Sequence, residues 1–284
     1  MTKALRELSG AWNFRDVADG VSGLQPGRLF RSGELSQLDD DGRATLRELG
    51  ITDVADLRSS REVARRGHGR VPEGVQIHLL PFPDLGENAG ENAGENAVDE
   101  KASEAEAPHE TAFRQLLADS PDGESLDATA TRYMVDEYRQ FPSRSGAQRA
   151  LHRIVTLLAA GRPVLAHCFA GKDRTGFMVA TVLETIGIDR DTIDADFLRS
   201  NDAVPQLRTQ LADMIQQRSE NGLTPEVETF NEARLSDAVL GVRAEYLAAA
   251  RESIEQTYGS LSNYLRASDI TESDVRQLRS ALLA

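Results

Sequence analysis

Residues 163–188 constrain the fold more than any other part of this chain. A short apolar run, Pro163–Ala166, leads directly into His167-Cys168-Phe169-Ala170-Gly171-Lys172-Asp173-Arg174-Thr175-Gly176. A longer and mostly apolar stretch, Thr175–Ile188, follows and ends near Gly187. The first run has the length of a buried strand and the second that of a helix. Ahead of both, Gly146–Ala160 places Ala147, Leu151, Ile154, Val155 and Leu158 on one helical face, with Gly161 as a stop. Helix, strand, loop and helix in this order predict an α/β fold with a central, largely parallel sheet flanked by helices. The loop then falls where the C-terminal end of a strand meets a helix N-terminus, the place where such sheets bind ligands.

The remaining segments fit that plan. Arg28–Leu35 reads as a short strand and turn, Asp39–Leu49 as a helix, and Asp53–Leu57 and Val75–Leu80 as strands. Ala128–Tyr138 reads as a helix, and the last third of the chain is helical. Val204, Leu207, Leu211, Met214 and Ile215 form one apolar stripe, and Leu240–Leu265 repeats the pattern through Leu247, Ile254, Tyr258, Leu261 and Leu265. The first of these stripes either packs on the core or covers the 167–176 loop as a helical lid, over about residues 203–238. The expectation is one domain spanning residues 1–284.

One segment resists this reading. Gly86-Glu87-Asn88-Ala89 repeats three times through Ala97, and an acidic, Ala-rich run follows. Without apolar periodicity it cannot offset its ordering entropy by burial, so residues 86–107 are expected to form a disordered acidic insertion. Between Asp84 and Asp127 stand thirteen acidic residues against two basic ones, which accounts for most of the net charge of −14. The rest of the chain is nearly neutral, which argues against nucleic-acid binding, since that wants a basic face. No apolar stretch approaches the roughly 20 residues of a membrane-spanning helix. The segment Met1–Glu7 lacks the apolar core of a signal peptide, so the expected location is cytoplasmic. Cys168 is the only cysteine, which excludes an intramolecular disulfide and any multi-cysteine metal site.

The loop has the parts that hydrolysis of a phosphate monoester requires: a nucleophile, cover for anionic oxygens, and a proton for the leaving alcohol. Cys168 is the nucleophile, because a helix N-terminus and the cations of Lys172 and Arg174 favour the reactive thiolate. Arg174 can bind two phosphoryl oxygens with its planar fork. Phe169, Ala170, Gly171, Lys172 and Thr175 are the candidate substrate-binding residues, with the small pair Ala170-Gly171 letting backbone amides turn inward as an anion nest. Thr175 either caps the helix or donates to the thiolate. His167 is an orienting partner rather than a base. Asp173, fixed inside the loop, and Asp84, in Phe82-Pro83-Asp84 after a strand, are alternative general acids, with Asp173 favoured by its position. Gly176 permits close packing behind the loop. A nucleotide-binding loop is excluded, because Gly171-Lys172 is followed by Asp and position 166 is Ala. A phosphate-binding module without turnover and a rhodanese-like sulfurtransferase are the rival readings. No metal or organic cofactor is implied.

Residues 167–174 also match His-Cys-x5-Arg, and with them the chain resembles the protein tyrosine phosphatase superfamily. The similarity extends to Asn13-Phe14-Arg15-Asp16, Arg28-Leu29-Phe30-Arg31-Ser32, Asp56-Leu57-Arg58-Ser59 and Ser200-Asn201-Asp202, over nearly the whole chain. The triple Gly-Glu-Asn-Ala repeat departs from the family pattern. The resemblance implies a phosphatase fold with a two-helix lid, a phosphocysteine intermediate on Cys168 and phosphate binding by Arg174. It also implies broad specificity, with proteins phosphorylated on tyrosine, serine or threonine and phosphoinositides as partners; Lys172 and Asp173 are similar to loop residues of lipid-directed phosphatases. A secreted virulence role, reached without a leader, is implied in the same way.

Overall fold

A computed structural model describes residues 8–82, 125–218 and 235–284, except for the side chains of 213–218. Its strands are β1 (Arg15–Asp16), β2 (Leu29–Ser32), β3 (Asp53–Asp56), β4 (Gln76–Leu79) and β5 (Val164–His167). They form one sheet in the order β1-β2-β5-β3-β4, antiparallel at β1–β2 and parallel elsewhere. The helices are α1 (Asp40–Glu48), α2 (Ser60–Arg66), α3 (Leu126–Gln140), α4 (Ser145–Ala159), α5 (Asp173–Ile186), α6 (Arg190–Leu198), α7 (Val204–Arg218), α8 (Asp237–Leu240), α9 (Ala244–Tyr258), α10 (Leu261–Ala267) and α11 (Glu272–Leu282).

Strand alternation builds two cores, one on each face of the sheet. Successive side chains of a strand point to opposite faces. Leu29, Ala55, Val164 and Ala166 therefore share one face with α4, α5, α9 and α11, through Leu151, Ile154, Leu183, Leu247 and Leu278. Phe30, Val54 and Leu165 share the other, with Phe14, Leu38 and Leu46 of the N-terminal region and α1. Both faces are covered, which is why the central strands read as continuous apolar runs. The α/β expectation holds, and so do the strands expected at Asp53–Leu57, which ends one residue short, at Val75–Leu80, which is one residue shorter at each end, and at Pro163–Ala166, which is shifted by one residue to Val164–His167.

The topology places the loop. β2 and β3 lie on opposite sides of β5, both parallel to it, so the chain leaves a slot that β5 fills later. Register pairs His167 with both Ser32 and Asp56. Three strand C-termini thus meet at one level, and Cys168 is the first residue beyond them.

The structure departs from the sequence reading in three ways. α5 begins at Asp173 rather than Thr175, with Lys172 at the N-cap and no side-chain cap. The apolar pattern of Leu240–Leu265 is not one helix: α8 ends at Gly241, and Gly259, at φ 74°, separates α9 from α10. The short helices α2 and α6 lacked a clear apolar period and were not expected. The expected insertion at 86–107, Asp84 and part of the expected lid (219–234) lie outside the described residues.

Gly176 lies where α5 meets α6. A Cβ there would fall 2.7 Å from the ring of buried Phe197. Gly176→Ala should therefore cost about 1–3 kcal/mol through overpacking. Urea unfolding checks this, with a lower midpoint and an unchanged slope as the expected result.

Candidate active site

The loop after β5 is shaped from behind, by donors that seize its carbonyls. Asn13 Nδ2 donates to the carbonyls of Gly171 at 2.9 Å and Ala170 at 3.3 Å. Arg31 Nη2 donates to the same Gly171 carbonyl at 2.9 Å. The C=O and N–H of a trans peptide point in opposite directions. With the Ala170 and Gly171 carbonyls drawn back, the amides of Gly171 and Lys172 turn toward the inside of the loop, as an anion nest requires. Gly171 sits at φ +68°, and a Cβ on it would lie 2.2 Å from the carbonyl oxygen of Ser32, so no larger residue fits. The first turn of α5 follows at once, and its free amides and dipole favour an anion at the same spot.

The donors are themselves fixed by a buried ion cluster. Arg15 and Arg31 are fully buried and share Asp196: Arg15 Nε reaches Oδ1 at 2.9 Å and Arg31 Nη1 reaches Oδ2 at 3.0 Å. Arg15 also donates to Asn13 Oδ1 at 2.6 Å, and Arg31 to Ser200 Oγ at 3.1 Å. Burial opposes the ionisation of Asp196, but the charges of Arg15 and Arg31 outweigh it and hold this carboxyl below its ordinary range. Burial, with Arg15 close by, lowers Arg31 to about 10, so it stays charged at neutral pH. The Asn13–Asp16, Arg28–Ser32 and Ser200–Asp202 motifs thus meet at this cluster although they are far apart in the chain.

The candidate nucleophile Cys168 is 2% exposed. His167 behind it is buried, its Nδ1 3.2 Å from the Cys168 carbonyl and its Nε2 3.6 Å from Asp56 Oδ1. Burial pushes the His167 imidazole below its ordinary value, which favours the neutral ring. An orienting role fits this position better than that of a base. Asp56 is gripped bidentately by Arg58, and Arg58 also pairs with Glu34 at 3.1 Å. Glu34 in turn binds Arg66, whose guanidinium lies over the Phe169 ring at 5.0 Å. This chain of charges runs from behind Cys168 to the loop's aromatic side chain.

Arg174 is held ready by Glu62. Its Nη1 and Nη2 meet the two carboxylate oxygens at 2.6 and 2.7 Å, and Nη1 also reaches the Leu57 carbonyl at 3.3 Å. Asp173 opens α5 and accepts from Tyr138 Oη at 3.0 Å. Lys172 Nζ lies 2.7 Å from each oxygen of the Asp173 carboxylate and donates to the Gly241 carbonyl at 3.2 Å. The Lys172 ammonium is therefore directed at its neighbour and at the α8–α9 turn. Thr175 lies inside the helix, so it is not the cap. Its buried hydroxyl has no hydrogen-bond partner among the described residues, and no bond to Cys168 is formed in this state.

A small apolar cluster covers the loop. Phe169 and Ala170 pack with Trp12, Leu240 and the α7 residues Val204, Leu207 and Leu211. Trp12 meets Phe169 edge to face at 5.8 Å. The apolar stripe expected on α7 thus faces the loop, over the portion whose side chains are described.

Cys168, Phe169, Ala170, Gly171, Lys172, Asp173 and Arg174 lie together on the segment that joins β5 to the first turn of α5, whereas Asp84 lies outside the described residues. Sequence reasoning missed Glu62, Tyr138 and Asp196. A signal for Glu62 existed: Ser59-Ser60-Arg61-Glu62 is a capping box, and Glu62 accepts from the Ser59 amide at 2.8 Å. Tyr138 and Asp196 had no such local mark.

Comparison with known proteins agrees with this arrangement. The sequence model of the tyrosine phosphatase family matches residues 6–284. The chain is 65% identical to the triple specificity protein phosphatase PtpB of Mycobacterium tuberculosis, over 99% of both chains. It is 32% identical to a Cupriavidus necator protein named as a tyrosine-protein phosphatase, over 96% of this chain and 86% of that one. Among the described residues no helix is long and apolar enough to cross a membrane.

Asp196→Asn leaves two buried guanidinium groups without their counter-charge and should cost about 3–5 kcal/mol of stability. Because folding depresses the Asp196 titration, its contribution is complete above the ordinary carboxylate value of about 4 and is lost as pH falls through the lower folded value. Urea midpoints of wild type and variant, compared at neutral pH and in acid, should therefore converge on the acid side.

Proposed function

The chain belongs to the tyrosine phosphatase family and is a protein-tyrosine-phosphatase, and from that premise we propose that it works through a phosphocysteine intermediate on Cys168. The Cys168 thiolate attacks phosphorus. The Sγ–P bond forms as the bond from phosphorus to the leaving oxygen breaks, and that oxygen takes a proton from Asp173. Water then attacks the phosphocysteine and gives its proton back to Asp173. The S–P bond breaks, releasing inorganic phosphate and the thiolate.

The observation that carries this reading is the back-side grip of Asn13 and Arg31 on the loop carbonyls. It turns the loop amides toward the position of a phosphoryl group before substrate arrives. Such preorganised donors account for much of the barrier lowering in comparable sites, because they need not reorganise during the reaction. Arg174 adds a charged fork, and Glu62 fixes the plane of that fork. Neutral His167 orients the Cys168 backbone from behind.

Substrate range follows from the named relative and from the shape of the site. We infer that phosphotyrosine is hydrolysed together with phosphoserine, phosphothreonine and phosphoinositides, in line with the triple specificity of the 65%-identical phosphatase. α7 serves as a lid in this reading: Leu207 and Leu211 pack with Phe169 and Ala170, the two residues after Cys168, so a phosphoryl group on a protein or lipid enters when α7 moves aside. An ammonium at Lys172 can turn to additional phosphate charge on a phosphoinositide by leaving Asp173.

Hydrolysis of para-nitrophenyl phosphate without added metal tests the mechanism. Cys168→Ser should abolish it. On phenyl phosphate, whose more basic leaving group needs the proton, Asp173→Asn should lower kcat/KM by about 10²-fold or more. Near-normal activity of Asp173→Asn would transfer the acid role to Asp84.

A further inference from the structure

Tyr138 stands out among the buried polar groups near the loop. It belongs to α3, on a different element from every part of the 167–176 loop, yet its hydroxyl donates to Asp173 Oδ1 at 3.0 Å. The residue is fully buried. Its ring is wedged among three others, Phe141 at 4.8 Å, Tyr246 at 5.6 Å and Phe197 at 6.1 Å between centroids. A ring held on three sides leaves its hydroxyl one direction, and that direction is the Asp173 carboxyl.

We propose that Tyr138 is a positioning residue for the general acid: its hydroxyl fixes the Asp173 carboxyl, from outside the loop, in the orientation from which the proton reaches the leaving oxygen. The proposal rests on the reading of Asp173 as that acid. Asp173 is otherwise held by Lys172, its neighbour in sequence, whose ammonium also donates to the Gly241 carbonyl. A carboxyl tied only to a neighbouring lysine would swing with it. The tyrosine supplies a second point of attachment on a rigid helix, and two points define an orientation. Burial raises the Tyr138 phenol well above its ordinary value, so the hydroxyl keeps its proton and remains a donor across the working pH range.

Leaving-group dependence separates this role from a merely structural one. General acid catalysis matters little when the leaving group is para-nitrophenolate and much when it is the more basic phenolate. kcat/KM reports the step in which that group departs. Tyr138→Phe keeps the ring and its three aromatic contacts, so the variant should fold with a thermal midpoint close to that of the wild type. It should lose about tenfold in kcat/KM on phenyl phosphate and less than about twofold on para-nitrophenyl phosphate. In an Asp173→Asn background the same change should add no further loss, because the group it positions is gone.

Equal losses on the two substrates would overturn the proposal, as would a selective loss that persists unchanged in the Asp173→Asn background. Asp173→Asn alone shows which layer has failed. If that variant discriminates between the two substrates and Tyr138→Phe does not, the positioning role is wrong and the acid assignment stands. If Asp173→Asn does not discriminate either, the acid assignment is wrong and the positioning role falls with it.

Discussion

The structure depends on one buried carboxylate, Asp196, placed between the guanidinium groups of Arg15 and Arg31. All three side chains are removed from water, which is costly unless charges are paired and hydrogen bonds are complete. The cluster meets that condition by drawing in Asn13, Ser200 and the Gly171 carbonyl. It ties together Asn13, strands β1 and β2, the loop after β5 and helix α6. An ion cluster of this kind is a poor source of net stability compared with apolar packing, and its use here is geometric. It gives the loop one backbone path, with carbonyls behind and amides in front.

Rigidity and mobility are divided between the two sides of the loop. Behind it stand Asn13, Arg31, His167 and the Asp56–Arg58–Glu34 chain, all buried and all except His167 held by charged hydrogen bonds. In front stand Arg174 and Asp173, with side chains 17% and 22% exposed, each held by a partner from another element or from the adjacent position. Above them lies a small apolar cluster in which α7 meets Phe169, Ala170 and Trp12. Among the described residues this cluster is smaller than either main core, and it is the natural place for the structure to open. The arrangement keeps the anion site fixed while access to it can vary.

How much of this was legible in the sequence depended on whether the information was local. The strand, loop and helix from Val164 to Ile186 could be read because the apolar period and the loop residues lie side by side in the chain. Lys172 was legible as a cation but not in its direction, because its partners, Asp173 and the Gly241 carbonyl, could be known only from the fold. Thr175 was misplaced by two residues of helix, since α5 starts without a side-chain cap to announce it. Glu62 was marked by the capping box it forms with Ser59, but nothing local says that its carboxylate also binds Arg174. Tyr138 and Asp196 act across 35 and 181 positions, on Asp173 and Arg15. They read as an ordinary core tyrosine and a helix aspartate until the fold brings them to the loop. The break at Gly259 was hidden for another reason: apolar residues on either side of it keep the same period across a turn.

The central claim is that the loop holds a phosphoryl group on the sulfur of Cys168. Its most direct test is to mix the enzyme with excess substrate, quench in acid within the first turnover, and locate the added phosphoryl group by mass spectrometry of the peptides. The account predicts a phosphoryl group on the peptide containing Cys168, attached through sulfur and absent when the mixture is allowed to run to completion. A phosphoryl group found on another residue, or turnover with no phosphoenzyme at any quench time under conditions where release is slow, would contradict it.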